Sequence, residues 1–315
     1  MKKITEIQDD SHYKRIARQF IEEGRIFEAE KYVVKAFELN SSTENAILYA
    51  NILFDLEKYE KALEIANKRE IDFFETAEAL FLYISILIEI KNFIKAKRLL
   101  DTKKIFLSSA SEEKHTNLEL KLYQEKEIEN KKKREYKIKI KKELTSLSVK
   151  TVYEQLYWME EARVFNLQDL REVSPSILTN PYVNVLARNS FLAYLIQYND
   201  AHSYQMIWMD TQKEICPIQL GTLEENETAK TINNLLDELM DKNPSFYQLI
   251  KKEVNYHFLF LFPFIDETIP YPREWVQLYV EKYEPTLIGK RVNVHKKSKE
   301  NFEFIHLFEA KYNQT

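Results

Sequence analysis

The stretch EEGRIFEAEKYVVKAFELN, residues 22–40, decides the fold. It contains a polar turn, then Ile26, then Ala29 three residues later. DLEKYEKALEIANKREI, residues 55–71, sets Tyr59 and Ala62 in the same relation, and EIKNFIKAKRLLDTKKI, residues 89–105, sets Phe93 and Ala96. The alanines are spaced 33 and 34 residues apart. A fixed period of this length marks stacked supersecondary units. Between the turns, apolar residues recur at the three- and four-residue spacing of a helix face. Residues 45–56 carry Ile47, Leu48, Ile52 and Leu56. Residues 79–90 carry Leu80, Phe81, Tyr83, Ile84, Leu87 and Ile88. The second segment is apolar nearly all round, so it is expected between neighbouring helices.

Two antiparallel helices touch closely only where small residues sit at their crossing. Ala17 and Ala29 would let the helices of the first unit approach, and Ala36 would let the next unit stack. In this pattern the chain resembles the tetratricopeptide repeat (TPR). Tyr13, Ile16, Ala17 and Phe20 stand where the first TPR helix has Trp, Leu, Gly or Ala, and Tyr. Gly24 matches the inter-helix turn, and Ala29, Val33 and Ala36 match the second helix. The second unit keeps Tyr49, Ala50, Leu53, Tyr59, Ala62 and Ala66, with Arg69 where Ala is usual. The third keeps Tyr83, Leu87, Phe93, Ala96 and Leu100, with Ile84 and Lys103 at small positions. The proline that usually ends a unit is absent from all three. The whole layout resembles uncharacterised cytoplasmic TPR proteins of low-GC Gram-positive bacteria, specifically over residues 10–110. That resemblance implies a protein-binding scaffold or adaptor and no catalytic residues.

The expected fold is mainly α. Residues 10–110 form a TPR-like α-solenoid of about three helix pairs. Residues 111–148 are a charged linker helix, anchored by Leu118 and Leu122 at its start and by Tyr136, Ile140 and Leu144 at its end. With so thin an apolar face it is either solvent-bridging or loosely ordered. All 8 prolines lie after residue 174 and all 3 tryptophans after residue 157, which marks a second region of different build. Residues 149–288 read as a helical domain with a β-hairpin near 204–220. Its turn is expected over 210–213 and its second strand over 214–220, held to a sheet edge by Pro217. Helices are expected over 246–260, after Asn243 and Pro244, and over 273–283. Residues 289–315 form a tail that the pattern does not place.

Composition removes several function classes. Only 3 glycines in 315 residues nearly exclude phosphate-cradling glycine loops. The net charge of −4 gives no whole-chain drive toward nucleic acid or anionic membrane. The single Cys216 cannot form an internal disulfide, makes no zinc motif and suits a reducing compartment. Beside Pro217 in an apolar strand, it is expected as an inert buried thiol. MKKITEIQDD has no apolar segment behind its lysines and is not expected to be a signal peptide. The most apolar runs, 79–90 and 258–265, fall short of the roughly 20 residues that span a bilayer. We therefore expect a cytoplasmic protein without membrane insertion.

By the register of the resemblance, the concave groove is lined by Lys14, Arg18 and Ile21, then Ile47, Asn51 and Phe54, then Phe81, Ser85 and Ile88. Chaperone-binding TPR domains clamp a terminal carboxylate with Lys and Asn residues and an Arg. Here Lys14 matches, while Arg18, Leu48, Glu78 and Leu82 do not. An apolar groove with one basic end suits an amphipathic helix or an extended apolar peptide. The alternative is that residues 112–145 fold back over Phe54, Phe81 and Ile88. The expected partner is another protein or peptide, a second copy of the chain included. A peptide-sensing regulator is a rival reading. So is a nucleic-acid-associated factor acting through 131–142, where Lys131, Lys132, Lys133, Arg134 and Lys137 stand among eight basic residues. Only Tyr136 accompanies them, which leaves base stacking unsupported.

Chemistry is not legible. His12, His115, His202, His257, His295 and His306 include no pair at i, i+4 and no HExxH. A metal site would need distant groups to converge. No metal ligand, cofactor or catalytic residue is expected.

Overall fold

The computed structural model describes residues 9–209, 211–240, 243–285 and 293–312. Residues 1–8 of the opening segment, Asp210 of the expected turn, and 289–292 and 313–315 of the tail lie outside the described residues. Among the described residues the fold is mainly α, with one short antiparallel hairpin. The chain divides into two compact units, residues 1–134 and 135–315.

The first unit opens with three helix pairs: α1 (Asp10–Glu22) with α2 (Ile26–Leu39), α3 (Thr43–Asp55) with α4 (Tyr59–Lys68), and α6 (Ala77–Glu89) with α7 (Phe93–Thr102). A single turn, α5 (Glu70–Phe73), links the second pair to the third. Asp9, Ser42 and Thr76 cap α1, α3 and α6 by accepting from a backbone N–H in the first turn. Ala17, Ala29, Ala36, Ala50, Ala62, Ala66 and Ala96 are all fully buried. They sit where helix backbones approach, and Phe20, Val33, Leu53, Tyr83 and Leu87 fill the space around them. Buried Asn45 ties the first pair to the second, donating to Asp10, to the Ala36 carbonyl and to the Asn40 carbonyl at 2.7–3.2 Å.

The turn inside each pair repeats in the backbone as well. Gly24, Glu57 and Lys91 all adopt left-handed φ, at 73°, 58° and 62°. After each, the next N–H reaches back to a carbonyl five residues earlier at 2.8 Å: Arg25 to Phe20, Lys58 to Leu53, Asn92 to Leu87. This is a Schellman closure repeated at the period of the alanines. Only the first unit meets it with glycine.

Helix α8 (Lys104–Thr145) is kinked at Ser111, whose backbone is extended and whose Oγ accepts from Lys114 N–H. Its residues up to Arg134 belong to the first unit and the rest to the second. Leu107 and Leu122 are buried against α6 and α7, with Leu118 packed beside them. Ile140 and Leu144 are buried in the second unit, whereas Tyr136 is 40% exposed.

The second unit continues with α9 (Val152–Glu161), α10 (Leu167–Leu178), α11 (Val185–Gln197), β1 (Tyr204–Trp208), β2 (Thr211–Ile215), α12 (Glu227–Met240), α13 (Pro244–Leu261), α14 (Ile265–Thr268), α15 (Pro272–Tyr283) and α16 (Lys296–Tyr312). Asn243 caps α13 and Pro244 opens it, a position where the missing N–H costs nothing. The hairpin pairs Tyr204 with Ile215 and Trp208 with Thr211. Its second strand is thus shorter and earlier than 214–220. Pro217 starts a 3₁₀ turn, Pro217–Gln219, because it lacks the N–H that would extend the ladder. Cys216 is therefore not a buried strand residue. It is half-exposed, with its thiol 3.6 Å from the Ala201 carbonyl. The tail contains α16, whose first turn is fixed by buried Glu274: His295 N–H donates to it at 3.0 Å and Ser298 Oγ at 2.6 Å.

Fully buried Asp200 joins α10, the end of α11 and the hairpin. It accepts from Arg171 Nε at 3.2 Å, from the Tyr204 hydroxyl and from His202 N–H at 3.0 Å. Burial pushes this carboxyl up, but Arg171, Tyr204 and the His202 amide outweigh burial and hold it down at about 2.

The turns and this carboxylate yield three predictions. Gly24→Ala should lower stability by about 1 kcal/mol through left-handed strain alone, since no atom crowds the added Cβ. Lys91→Gly should raise it by about 0.5–1 kcal/mol; urea unfolding measures both. The folded pKa of Asp200 lies below its ordinary 3.8, so its contribution is present above that value and is lost as pH falls toward 2. Asp200→Asn should remove about 1–2 kcal/mol at neutral pH, allowing for solvent screening at half-exposed Arg171, and should flatten the acid limb of the stability profile.

Candidate functional site

The groove residues expected from the repeat register divide into two groups. Lys14 and Arg18, one turn apart on α1, both reach Glu44 at the start of α3, at 2.9 Å each. Lys14 also lies 3.7 Å from Asp10. These ion pairs hold the Glu44 carboxyl below its usual range, Lys14 contributing most. With Ser11, Arg15 and Glu22 they line a shallow, solvent-open depression. Further along, Asn51 is exposed, and Ile47 and Phe54 are half-buried. The Phe54 ring meets Tyr59 edge-on at 5.4 Å.

The third pair differs. Phe81 is 8% exposed and Ile88 1%, both within the core cluster that includes Leu107 and Leu122 of α8. Ser85 donates to the Phe81 carbonyl at 2.8 Å. The Lys114 ammonium lies 5.9 Å from the Phe81 ring, and Lys121 pairs with Glu89 at 2.5 Å. His115 is buried with Nε2 3.5 Å from the Leu100 carbonyl. The first half of α8 therefore packs over α6 and α7. Phe81 and Ile88, expected to line the groove, are thus enclosed within the chain, while Phe54 stays half-buried. The reason is physical: α6 is apolar on all sides, and without α8 one side would remain in water.

The basic run is partly neutralised within the chain. Lys133 lies 3.7 Å from Glu129, and Lys137 and Lys141 approach Asp169 at 2.6 and 2.8 Å. Lys141 also reaches Glu172 at 2.6 Å. Lys131, Lys132, Lys133 and Arg134 are exposed.

In the second unit a half-open cavity of about 370 Å³ is lined by residues that include Gln155, Pro181, Tyr182, Arg188, Ile207 and Phe308. Its Arg188 guanidinium is committed to backbone, donating to the carbonyls of Asn180, Val183 and Ile207 at 2.6–3.0 Å. Gln155 bonds the Leu147, Lys150 and Tyr182 carbonyls and accepts from Asn184 N–H. The described lining residues include no His, Cys, Asp or Glu; their ionisable groups are Lys150, Tyr182 and Arg188.

A different arrangement brings together residues that the sequence reading did not connect. Glu253 and His257 of α13 meet His306 and Glu309 of α16, with one donor atom from each within 4.8 Å of the others. His257 and His306 are 49 positions apart, and only the packing of α16 on α13 makes them neighbours. A signal was available at shorter range. Glu253 and His257 stand at i, i+4, and His306 and Glu309 at i, i+3, so each helix offers one carboxylate and one imidazole on a single face.

No protein-family model matches the chain, and neither does any curated protein. Among the described residues, no helix is long and apolar enough to cross a membrane.

The covering of α6 carries a measurable consequence. Phe81→Ala should cost about 3–5 kcal/mol of stability, as a buried aromatic truncation does, and Leu122→Ala about 2–5 kcal/mol. Asn51→Ala on the open face should change stability by less than about 0.5 kcal/mol. Thermal and denaturant unfolding of the three variants checks the order.

Proposed function

We propose that this chain is a protein-interaction scaffold of the TPR type, and that its recognition face is limited to the first two helix pairs. The observation that carries the proposal is the threefold recurrence of buried alanine and left-handed turn at 33 and 34 residues. A right-angled or globular bundle has no need of such a period, whereas a stack of equivalent pairs requires it. Stacked pairs present an extended surface, and extended surfaces of this kind recognise peptide segments. The closure of the third pair by α8 leaves α1 and α3 as the accessible floor. That floor combines the cations Lys14 and Arg18, the amide of Asn51 and the half-buried edges of Ile47 and Phe54. Its complement is a partner segment with an acidic residue near α1 and an apolar side chain near Phe54.

The occupied pair Lys14–Glu44 means that an incoming carboxylate competes with Glu44 rather than filling an empty site. Selectivity would then come from the combination of charge and apolar contact, and affinity would be modest. The lone, half-exposed thiol of Cys216 supports a reducing, cytoplasmic setting for the scaffold.

Selection of a displayed peptide library on the full-length protein tests this reading. Enriched peptides should carry an acidic residue, and Arg18→Glu and Asn51→Ala should each weaken them about tenfold, near 1.4 kcal/mol, with circular dichroism unchanged. Peptides whose binding ignores both substitutions, or a selection that enriches nothing, would remove the groove from the account.

A further inference from the structure

The strongest unassigned feature lies in the second unit, where α13, α15 and α16 meet. His257 is fully buried. Its Nδ1 is engaged by the Tyr279 hydroxyl, and its Nε2 lies 2.9 Å from Glu309 Oε2. His306 packs edge-on against it, with ring centroids 4.8 Å apart. His306 Nδ1 faces Glu253 at 3.6 Å and Glu309 at 3.9 Å. Both contacts are longer than a hydrogen bond. They are close to the separation of neighbouring ligands around a tetrahedral zinc-class ion, about 3.3 Å for bonds of about 2.0–2.1 Å.

We propose that Glu253, His257, His306 and Glu309 form a binding site for one zinc-class divalent transition metal ion, which fastens α16 onto α13. The donor set is two imidazole nitrogens and two carboxylate oxygens. Imidazole favours zinc, cobalt or nickel over magnesium and calcium, which prefer oxygen alone. The Tyr279 hydroxyl on Nδ1 orients the His257 ring so that Nε2 points into the cluster, the supporting role that outer partners play for metal-bound histidines. The two glutamates are 16% and 23% exposed, so they have the freedom to draw inward around an ion.

The third helix supplies the competitor. Lys282 Nζ lies 3.2 Å from His306 Nε2 and 3.7 Å from Glu253 Oε1. Tyr283 donates to the same Glu253 oxygen at 2.6 Å. Without metal, the ammonium balances part of the carboxylate charge. A dication would take over that balance, and Lys282, 39% exposed, can turn its head group to solvent. The cluster is thus an exchange site: one resident ammonium against one metal ion.

The test uses the chelator-treated full chain, titrated with Zn²⁺ by calorimetry and with Co²⁺ by its visible ligand-field bands, and with Mg²⁺ as control. Expected are one equivalent of Zn²⁺ per chain, a four-coordinate Co²⁺ spectrum, no response to Mg²⁺, and a Zn²⁺-dependent rise in Tm. Glu309→Gln and His306→Gln should each weaken binding at least about tenfold and abolish the rise in Tm. Lys282→Met should tighten Zn²⁺ about tenfold or more by removing the competing charge, a gain that misfolding cannot mimic. Three results would overturn the site. One is the absence of Zn²⁺ and Co²⁺ binding in the wild-type protein, even if Lys282→Met binds. The second is binding left unchanged by both Glu309→Gln and His306→Gln. The third is Lys282→Met without effect on affinity.

Discussion

The first unit depends on one steric condition: helix backbones approach each other only where the side chain between them is a methyl group. Ala17, Ala29, Ala36, Ala50, Ala62, Ala66 and Ala96 meet that condition, and each is fully enclosed. A larger side chain at any of them would hold two helices apart and open gaps around Phe20, Leu53 or Leu87. The left-handed turns at Gly24, Glu57 and Lys91 return the chain at the angle these crossings require. Two of the three turns accept a side chain with strained φ. Conformational cost is tolerated there because the close packing on either side over-determines the turn.

Helix α8 completes the array. Solenoids expose an apolar flank at each end unless a terminal element covers it. Leu107, Leu118 and Leu122 cover the flank of α6 and α7, and Lys91–Glu129 at 2.6 Å and Lys121–Glu89 tie the edges. The same packing that stabilises the third pair buries Phe81 and Ile88. Asn51 of α3 stays exposed.

In the second unit, polar groups rather than small residues organise the packing. Asp200 gathers Arg171, Tyr204 and the His202 amide, and Arg188 gathers carbonyls from the α10–α11 connection and the hairpin. Glu274 fixes the start of α16, and α16 then brings His306 and Glu309 to α13. Each buried charge satisfies several backbone or side-chain partners at once, as burial demands. Sequence patterns for such hubs are weak, because an Asp, an Arg or a Glu at these positions looks the same as a solvated surface residue.

By itself the sequence determined the local properties: the mainly α class, the 33- and 34-residue period, the helix start at Asn243 and Pro244, and the anchors Leu122, Ile140 and Leu144 of the charged helix. Each of these follows from side-chain size, periodicity or backbone preference within a few turns of chain. The hairpin near 204–220 was legible, but its second strand runs over Thr211–Ile215 rather than 214–220, since register depends on the partner strand. Tertiary structure alone decided the rest. It decided that Phe81 and Ile88 are covered while Asn51 stays open, because covering requires a helix some 30 residues further along. It also decided that Glu253 and His257 meet His306 and Glu309, because that encounter depends on how α16 packs, and no spacing along the chain encodes a distance across it.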